Sequence, residues 1–142
     1  MTANYMQAHQ SIDPLGRAFW LLGLTQAAHS IEEMVSHLYD FMWVATERLG
    51  LPSMGMTATS FAAVNMGIIA LFLFVTPFVL ARHIWAIGIA WIAAVVEILN
   101  GLGHLGGAVI FRRYVPGAAT APFLILCGIV LLMALSRQRS LT

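Results

Sequence analysis

Long apolar runs separated by short turns constrain this chain more than any other feature. Four runs are apolar over most of their length, at residues 15–48, 58–81, 84–111 and 118–136. A helix of about 20 such residues crosses the hydrocarbon core of a bilayer. Only 9% of the residues are charged and 60% are hydrophobic, whereas soluble domains have roughly 25% charged residues. The sequence therefore predicts an all-α integral membrane protein folded as a four-helix bundle.

The turns between the runs divide the chain into a short tail and one membrane domain. Residues 1–14 are a polar N-terminal tail, and residues 15–139 form the predicted four-span domain. Four spans place both termini on one side of the cell membrane. Four arginines fall on that side and three on the other, which favours cytoplasmic termini. They are Arg17, Arg82, Arg137 and Arg139 against Arg48, Arg112 and Arg113.

Charge and cysteine content exclude several classes of protein. The formal net charge is +1 and there is no lysine, so the chain lacks the basic surface by which proteins bind nucleic acids. The single Cys127 excludes an intramolecular disulfide and a cysteine-based metal cluster. Because the chain is predicted to lie in the membrane, the expected partners are the lipid bilayer and a hydrophobic small molecule.

The first run contains four ionisable side chains within nine residues, which a membrane helix rarely has. His29, Glu33 and His37 follow one another at intervals of four, and each interval rotates a helix by about 40° beyond a full turn. We expect these three to stack on one face, with Glu32 about 60° to the other side of His29. Each such group costs roughly 2.5 to 3.5 kcal/mol near the bilayer centre. A metal ion, shared protons or water must compensate for this cost.

The third run carries a second polar group at the same depth. Glu97, Asn100 and His104 share one face, since three residues turn a helix by about 300° and four by about 400°. Ile31 and Glu97 each follow the start of the membrane part of their run by 13 residues, or roughly 20 Å along the helix. Buried charges face the interior of a bundle. We therefore expect the first and third helices to meet, with Glu33 facing Asn100 and His104.

Two glycines and an asparagine bear on how the helices pack. Gly103 and Gly107 form a GxxxG pattern around His104, which permits the close approach of another helix. The same glycines could instead leave room for a ligand. Asn65 is the one strongly polar residue of the second run, and we expect it to form a hydrogen bond between helices.

Three segments of the chain resemble motifs of one protein family. The segment His29-Ser30-Ile31-Glu32-Glu33 matches the motif that names the HXXEE family of small bacterial membrane proteins. Two later segments are similar to that family's Asn…His helix and its Arg-Tyr-x-Pro-Gly-x-x-Thr-Ala turn. They are Asn100-Gly101-Leu102-Gly103-His104 and Arg113-Tyr114-Val115-Pro116-Gly117-Ala118-Ala119-Thr120-Ala121. The resemblance, over about residues 15–135, implies a multi-span helical membrane protein and no particular activity.

The residues themselves favour a metal-dependent enzyme inside the membrane. Imidazole and carboxylate groups are ligands of zinc and iron. The candidate ligands are His29, Glu33, Glu97 and His104, with His37 as a further candidate. The candidate catalytic residues are Glu32, Glu33 and Asn100. Zinc would support hydrolysis and iron would support oxidation, so we expect a membrane hydrolase or oxidase with a lipid-like or other hydrophobic substrate.

Two other functions fit the same residues. In a metal-free isomerase or cyclase, a buried carboxyl group would protonate the substrate, and the residue types are similar to the polar pocket of sterol-isomerase-like membrane proteins. In a proton or small-molecule transporter, Glu and His side chains at mid-membrane depth would relay ions. An unbroken helix at the site disfavours a monomeric transporter, and a homo-oligomer would remove that objection.

His37 has an alternative to metal binding, because it could bond a backbone carbonyl near the membrane surface.

Overall fold

A computed structural model describes residues 13–52 and 55–139. These residues form five α-helices and no strand, so the predicted all-α class is confirmed. The helices are α1 (Pro14–Val35), α2 (Leu38–Arg48), α3 (Ala58–Leu80), α4 (Ile84–Phe111) and α5 (Ala121–Arg139). The predicted tail at residues 1–14 lies outside the described residues, except for its last two positions.

The first predicted helix, 15–48, is wrong as a single element because it breaks after Val35. Ser36 and His37 separate α1 from α2, and His37 adopts a left-handed conformation with φ of 56°. The Ser36 hydroxyl donates to the carbonyl of Glu32, so a side chain competes for the hydrogen bonds of the last turn. Histidine tolerates the left-handed region better than most residues do. A left-handed residue cannot continue a right-handed helix, so the chain changes direction there.

The other helix boundaries follow local capping. Helix α3 begins at a capping box, in which the side chains of Thr57 and Ser60 each accept a hydrogen bond from the other's backbone N–H. The bounds predicted for α3 and α4, 58–81 and 84–111, are confirmed to within one residue. Helix α5 begins three residues later than predicted, because Gly117 has φ of 90° and lies in a turn. We call residues 112–120 the α4–α5 loop.

The helices pack as a bundle in which α1 lies between α3 and α5, and α4 packs mainly against α5. Helices α1 and α4 face each other across the interior and meet mostly through side chains. The apolar core occupies the half of the bundle in which α1 begins. Its members are Leu15, Ala18, Phe19, Leu22, Phe72, Val75, Val79, Ala86, Ala90, Ala94, Leu124, Leu131 and Leu135.

Contacts at the two ends of the bundle fix the helix directions. At one end, Nη2 of Arg82 in the α3–α4 turn lies 2.9 Å from Oδ2 of Asp13, which precedes α1. At the other end, Glu32 near the end of α1 accepts hydrogen bonds from Thr120 of the α4–α5 loop. Helix α1 therefore runs parallel to α4 and antiparallel to α3 and α5.

The glycines that bring α4 and α5 together are Gly101 and Gly128, and the predicted pair Gly103 and Gly107 does not serve this purpose in the described part of the chain. A Cβ atom at Gly101 would lie 2.8 Å from a backbone carbonyl oxygen of α5, and one at Gly128 would lie 3.0 Å from a backbone carbonyl oxygen of α4. A Cβ atom at Gly103 would meet nothing within 4 Å, and at Gly107 the nearest atom would be a loop side chain at 3.6 Å. The open space at Gly103 fits the alternative prediction of room for a ligand.

Two helices, α3 and α4, are long and apolar enough to cross a membrane. Fewer than a third of the residues in their most apolar segments are buried, so large apolar side chains face outward. Examples are Val64, Phe74, Ile92 and Val109. The central helices of a water-soluble protein bury such side chains, and the outward apolar faces therefore support a membrane location.

Candidate metal-binding site

Three of the predicted metal ligands come together inside the bundle. Oε1 of Glu33 lies 3.1 Å from Nε2 of His29, one turn earlier on α1, and 3.1 Å from Nε2 of His104 on α4. The three potential ligand atoms all lie within 4.8 Å of one another. The residues are 0%, 6% and 8% exposed in chain order. We call them the His/Glu cluster, and the predicted contact of Glu33 with His104 is present in it.

The hydrogen bonds of the Thr120 hydroxyl favour one tautomer of a neutral His29. This hydroxyl donates to Oε2 of Glu32 at 2.6 Å, so its oxygen is free to accept from Nδ1–H of His29, also at 2.6 Å. A neutral imidazole carries one proton, and His29 then presents the lone pair of Nε2 to the cluster. Metal-ligating histidines are held in this way, with the second ring nitrogen donating to an oxygen.

Nε2 of His29 is the one buried side-chain polar atom, among those that the structure describes, without a hydrogen-bond partner. Oε1 of Glu33 is near it at 3.1 Å, but the contact lacks the geometry of a hydrogen bond. A lone pair and a carboxylate oxygen are both acceptors, and they repel each other at a buried site unless a proton or a cation lies between them.

The spacing of the cluster fits a small metal ion. A tetrahedral zinc ion holds nitrogen and oxygen ligands at about 2.0–2.1 Å, which places neighbouring ligand atoms about 3.3 Å apart. Two of the three separations in the cluster are 3.1 Å. His29, Glu33 and His104 could therefore hold a metal ion, and three protein ligands would leave a position open for water or substrate.

The α4–α5 loop closes over the two imidazole rings. A Cβ atom at Gly117 would lie 2.7 Å from the ring of His104 and 2.8 Å from the ring of His29. The φ of 90° at Gly117 also favours glycine. The loop backbone thus lies directly against the cluster, which no larger residue at this position would permit.

Glu32, a predicted catalytic residue, anchors this loop. Its two carboxylate oxygens accept four hydrogen bonds, from the Tyr114 hydroxyl at 2.5 Å, the Ala119 backbone N–H at 3.0 Å, and the Thr120 N–H and hydroxyl at 2.8 and 2.6 Å. Burial, and then the hydrogen bond to Glu32, raise the pKa of the Tyr114 hydroxyl. Reasoning from ligand types missed Tyr114, Gly117 and Thr120, and only the resemblance of their turn to the HXXEE family pointed to them.

Glu97 lies outside the His/Glu cluster, in a polar network beside it. When the Gln26 amide is oriented to donate, its nitrogen lies 2.7 Å from Oε2 of Glu97. Nδ2 of Asn100 lies 3.4 Å from the same oxygen. On the same helix as Gln26, the Ser30 hydroxyl donates to Oδ1 of Asn65 on α3 at 2.6 Å. This confirms the predicted hydrogen bond between helices at Asn65.

His37 does not stack on Glu33, because α1 ends before it. It lies at the break, where its side chain is exposed and its ring packs edge-on against Tyr39 with centroids 5.6 Å apart. The structure therefore places His37 outside the group that could hold a metal ion.

A groove of about 470 Å³ lies beside the cluster, between α2 and α4. Glu33, Asn100 and His104 form its polar end, and Gly103 and Gly107 lie along it. The rest of its wall is apolar and includes Leu38, Phe41, Met42, Leu99, Phe111 and Val115. A hydrophobic molecule in this groove would contact the His/Glu cluster directly.

Comparison with known proteins identifies a family for the chain. A family described as proteins of unknown function with an HXXEE motif matches residues 20–132. No curated protein and no solved structure matches the chain. The matched segment contains the whole His/Glu cluster and the loop that closes over it. Because it covers most of the 142 residues, the chain belongs to the HXXEE family.

Proposed function

We propose that the protein is a metal-dependent enzyme of the cell membrane that acts on a lipid-like or other hydrophobic small molecule. His29, Glu33 and His104 hold the metal ion, which is zinc or iron. The observation that carries this proposal is Nε2 of His29, a buried nitrogen that lacks a hydrogen bond and faces a carboxylate oxygen.

A divalent cation offsets the repulsion among the acceptor atoms of the His/Glu cluster more fully than a proton does. Oε1 of Glu33 faces both histidines at 3.1 Å, and a proton on that oxygen can be donated to only one of them. A cation attracts the lone pairs of all three groups at once. It also offsets the carboxylate charge, which is costly to bury without a partner.

The donor set fits two kinds of metal enzyme. Two histidines and one glutamate hold zinc in some hydrolases, and two histidines with one carboxylate hold iron in non-haem oxygenases. When bound, zinc supports hydrolysis and iron supports oxidation. The donor set therefore supports a hydrolase or an oxidase.

Asn100 and Glu97 supply polar groups next to the cluster. Asn100 lines the groove, so its amide can bind a polar group of the substrate. Glu97 is 4% exposed, and its contact with Asn100 orients that amide. A carboxyl group at this position can also accept or supply a proton during the reaction.

The outward apolar faces of α3 and α4 support a membrane location. We propose that the chain crosses the membrane four times, through α1, α3, α4 and α5, and that both termini are cytoplasmic. Helix α2 has 11 residues, too few to cross the roughly 30 Å hydrocarbon core, and lies at the bilayer surface. The groove between α2 and α4 is then reached from within the lipid.

Metal analysis of the purified protein tests this proposal. Protein kept folded in detergent and washed without chelator should contain about one equivalent of zinc or iron. His29→Ala and His104→Ala should each remove most of it, because two remaining ligands form a weak site. Asn100→Ala should reduce it far less, because Asn100 lines the groove and is not one of the three residues that could hold the metal ion.

Asn65→Ala is the matched control. Asn65 is also a buried polar residue, but it bonds to Ser30 outside the cluster, so its loss should leave metal content unchanged. Metal far below one equivalent in folded wild-type protein, with no uptake of added metal, would contradict the proposal.

A metal-free acid/base enzyme is the second candidate. The contacts of Glu33 with both histidines at 3.1 Å favour it, because a carboxyl group so placed can exchange a proton with either ring. An isomerase or cyclase would need only such transfers. Here Glu33→Gln or Glu97→Gln should abolish activity, while wild-type protein holds no stoichiometric metal.

A proton or small-molecule transporter is the third candidate, and the break at Ser36 and His37 places a helix interruption about one turn after Glu33. Discontinuous helices line the binding sites of many transporters. The largely apolar groove gives more support to a hydrophobic ligand than to an ion path. Proton flux into protein-containing liposomes that disappears with Glu33→Gln would favour transport over catalysis.

A further inference from the structure

The groove beside the His/Glu cluster has two chemically different ends. Glu33, Asn100 and His104 form the first end. The second end is closed by the rings of Phe41 and Phe111, whose centroids are 5.2 Å apart. His104 and Phe111 are seven residues apart on α4, so the two ends are about 10 Å apart.

Two arginines cover the second end. The guanidinium of Arg113 lies 5.0 Å from the centre of the Phe41 ring, and that of Arg48 lies 5.9 Å from the centre of the Phe111 ring. Within the described part of the chain, neither guanidinium lies within 4.0 Å of a carboxylate oxygen. Two cations placed on neighbouring aromatic rings without counter-ions form a suitable site for an anion.

The space between the two ends exists because α4 carries glycines there. A Cβ atom at Gly103 would meet nothing within 4 Å, and Leu99, one turn earlier, is 62% exposed. The groove is therefore open along its flank, on a helix whose outward residues are apolar. An extended hydrocarbon chain can enter it sideways without crossing a polar surface.

We propose that the groove binds a single-chain amphiphile with an anionic head, of the chemical class of long-chain fatty acids. The head pairs with Arg48 and Arg113, and the chain lies along Gly103 and Gly107. A bond about 10 Å from the head then reaches His104. This names the substrate class of the proposed enzyme and rests on that function for the chemistry, but the binding itself needs no metal ion.

Photolabelling of the full chain in lipid nanodiscs tests the binding, with palmitic acid that carries a mid-chain diazirine as the probe. Gly103→Leu fills the groove and should lower labelling by about tenfold or more. Gly106→Leu is the matched control, because a Cβ there also meets nothing within 4 Å and Gly106 is not among the groove-lining residues. Leucine has a higher helix propensity than glycine, so both variants should fold.

The charge of the head is tested separately. Arg113→Gln should lower labelling by the acid about fivefold, and it should not change labelling by the corresponding fatty alcohol. Arg17→Gln is the control, since Arg17 is an exposed arginine at the opposite end of the bundle. Equal effects of Arg113→Gln on the acid and the alcohol would overturn the anionic head.

Equal labelling of wild-type protein and Gly103→Leu would overturn the groove as the binding site, as would labelled peptides that contain none of the groove-lining residues. Metal content measured on the same samples separates this inference from the proposed function. Specific labelling of protein that binds no metal would support amphiphile binding in the groove and contradict the proposal of a metal-dependent enzyme. Metal-loaded protein without specific labelling would support metal binding by the His/Glu cluster and contradict amphiphile binding in the groove.

Discussion

The Thr120 hydroxyl connects two residues of the HXXEE motif that point in different directions from α1. It donates to Glu32 and accepts from His29, so the carboxylate acts on the imidazole through a hydroxyl group. Glu32 thus fixes the ring of His29 without touching it. The second glutamate, Glu33, enters the cluster itself, and the two adjacent carboxylates therefore have separate roles.

Thr120→Val tests this connection with little change in side-chain volume. The loss of the hydroxyl leaves Nδ1–H of His29 unpaired, and we expect metal affinity to fall about 10–100-fold, as for other residues that orient a ligand. Thr120→Ser, which retains the hydroxyl, should restore most of the affinity. Equilibrium metal titration against a chelator of known affinity measures both variants.

Thr25→Val is the control for that experiment. The Thr25 hydroxyl donates to the carbonyl of Leu21 on the same helix, so its loss removes a threonine hydroxyl without disturbing His29. Wild-type metal affinity in Thr120→Val would show that the hydroxyl does not position the ligand.

At the scale of helices, the break between α1 and α2 is what places the groove. An unbroken helix to residue 48 would carry its last turns past the end of α4. The break at Ser36 and His37 allows Phe41 of α2 to pack against Phe111 of α4, with ring centroids 5.2 Å apart. The side chains of α2 then form the wall of the groove opposite α4.

His37→Gly distinguishes the broken helix from a continuous one by the sign of its effect. Glycine adopts φ of 56° without the strain that His37 bears, so the variant should be more stable by about 0.5–1 kcal/mol. In a continuous helix the same change would destabilise by about 0.3–0.5 kcal/mol, since histidine is itself a weak helix former. Reversible unfolding in detergent measures the difference.

Ala28→Gly is the matched control, because Ala28 is exposed in the middle of α1. It should lower stability by about 1 kcal/mol. A loss of stability in His37→Gly, whatever its size, would contradict the break. Metal content should be unchanged in His37→Gly, since His37 lies outside the His/Glu cluster.

At the scale of the whole molecule, the bundle divides into an apolar half and a polar half. The core around Phe19 and Leu131 lies near the start of α1, whereas the buried polar residues lie mainly in the second half of α1 and beside it. Packing in the first half holds the helices together. The second half, closed by the α4–α5 loop, can therefore retain costly polar groups next to an open groove.

The proposed arrangement of four membrane passes predicts which turns share a side. We expect cysteines placed at Leu49 and Arg113, in a Cys127→Ala background, to react with a membrane-impermeant thiol reagent in intact cells. A cysteine at His83 should react only after the cells are opened, because α3 and α4 separate His83 from the other two and the termini are expected to be cytoplasmic. Reaction of Leu49 and Arg113 from opposite sides would exclude the four-pass arrangement.

The sequence alone determined the class of fold, most helix boundaries and the family. Hydrophobicity and capping act over a few residues, so the bounds of α3 and α4 follow from local composition. The sequence also predicted that the polar faces of these two helices meet, with Glu33 facing His104, and the structure joins the two side chains at 3.1 Å.

Only the tertiary structure decided which polar groups meet. Neighbouring glutamates point about 100° apart on a helix, so the position of the α4–α5 loop directs Glu32 to Thr120 and leaves Glu33 to the histidines. The packing of α4 against α1 likewise places Glu97 beside Gln26, and Asn100 contacts Glu97 from the next turn of α4. The break at His37 has a similar origin, because a left-handed residue costs free energy locally and persists where contacts such as that of Phe41 with Phe111 compensate for it.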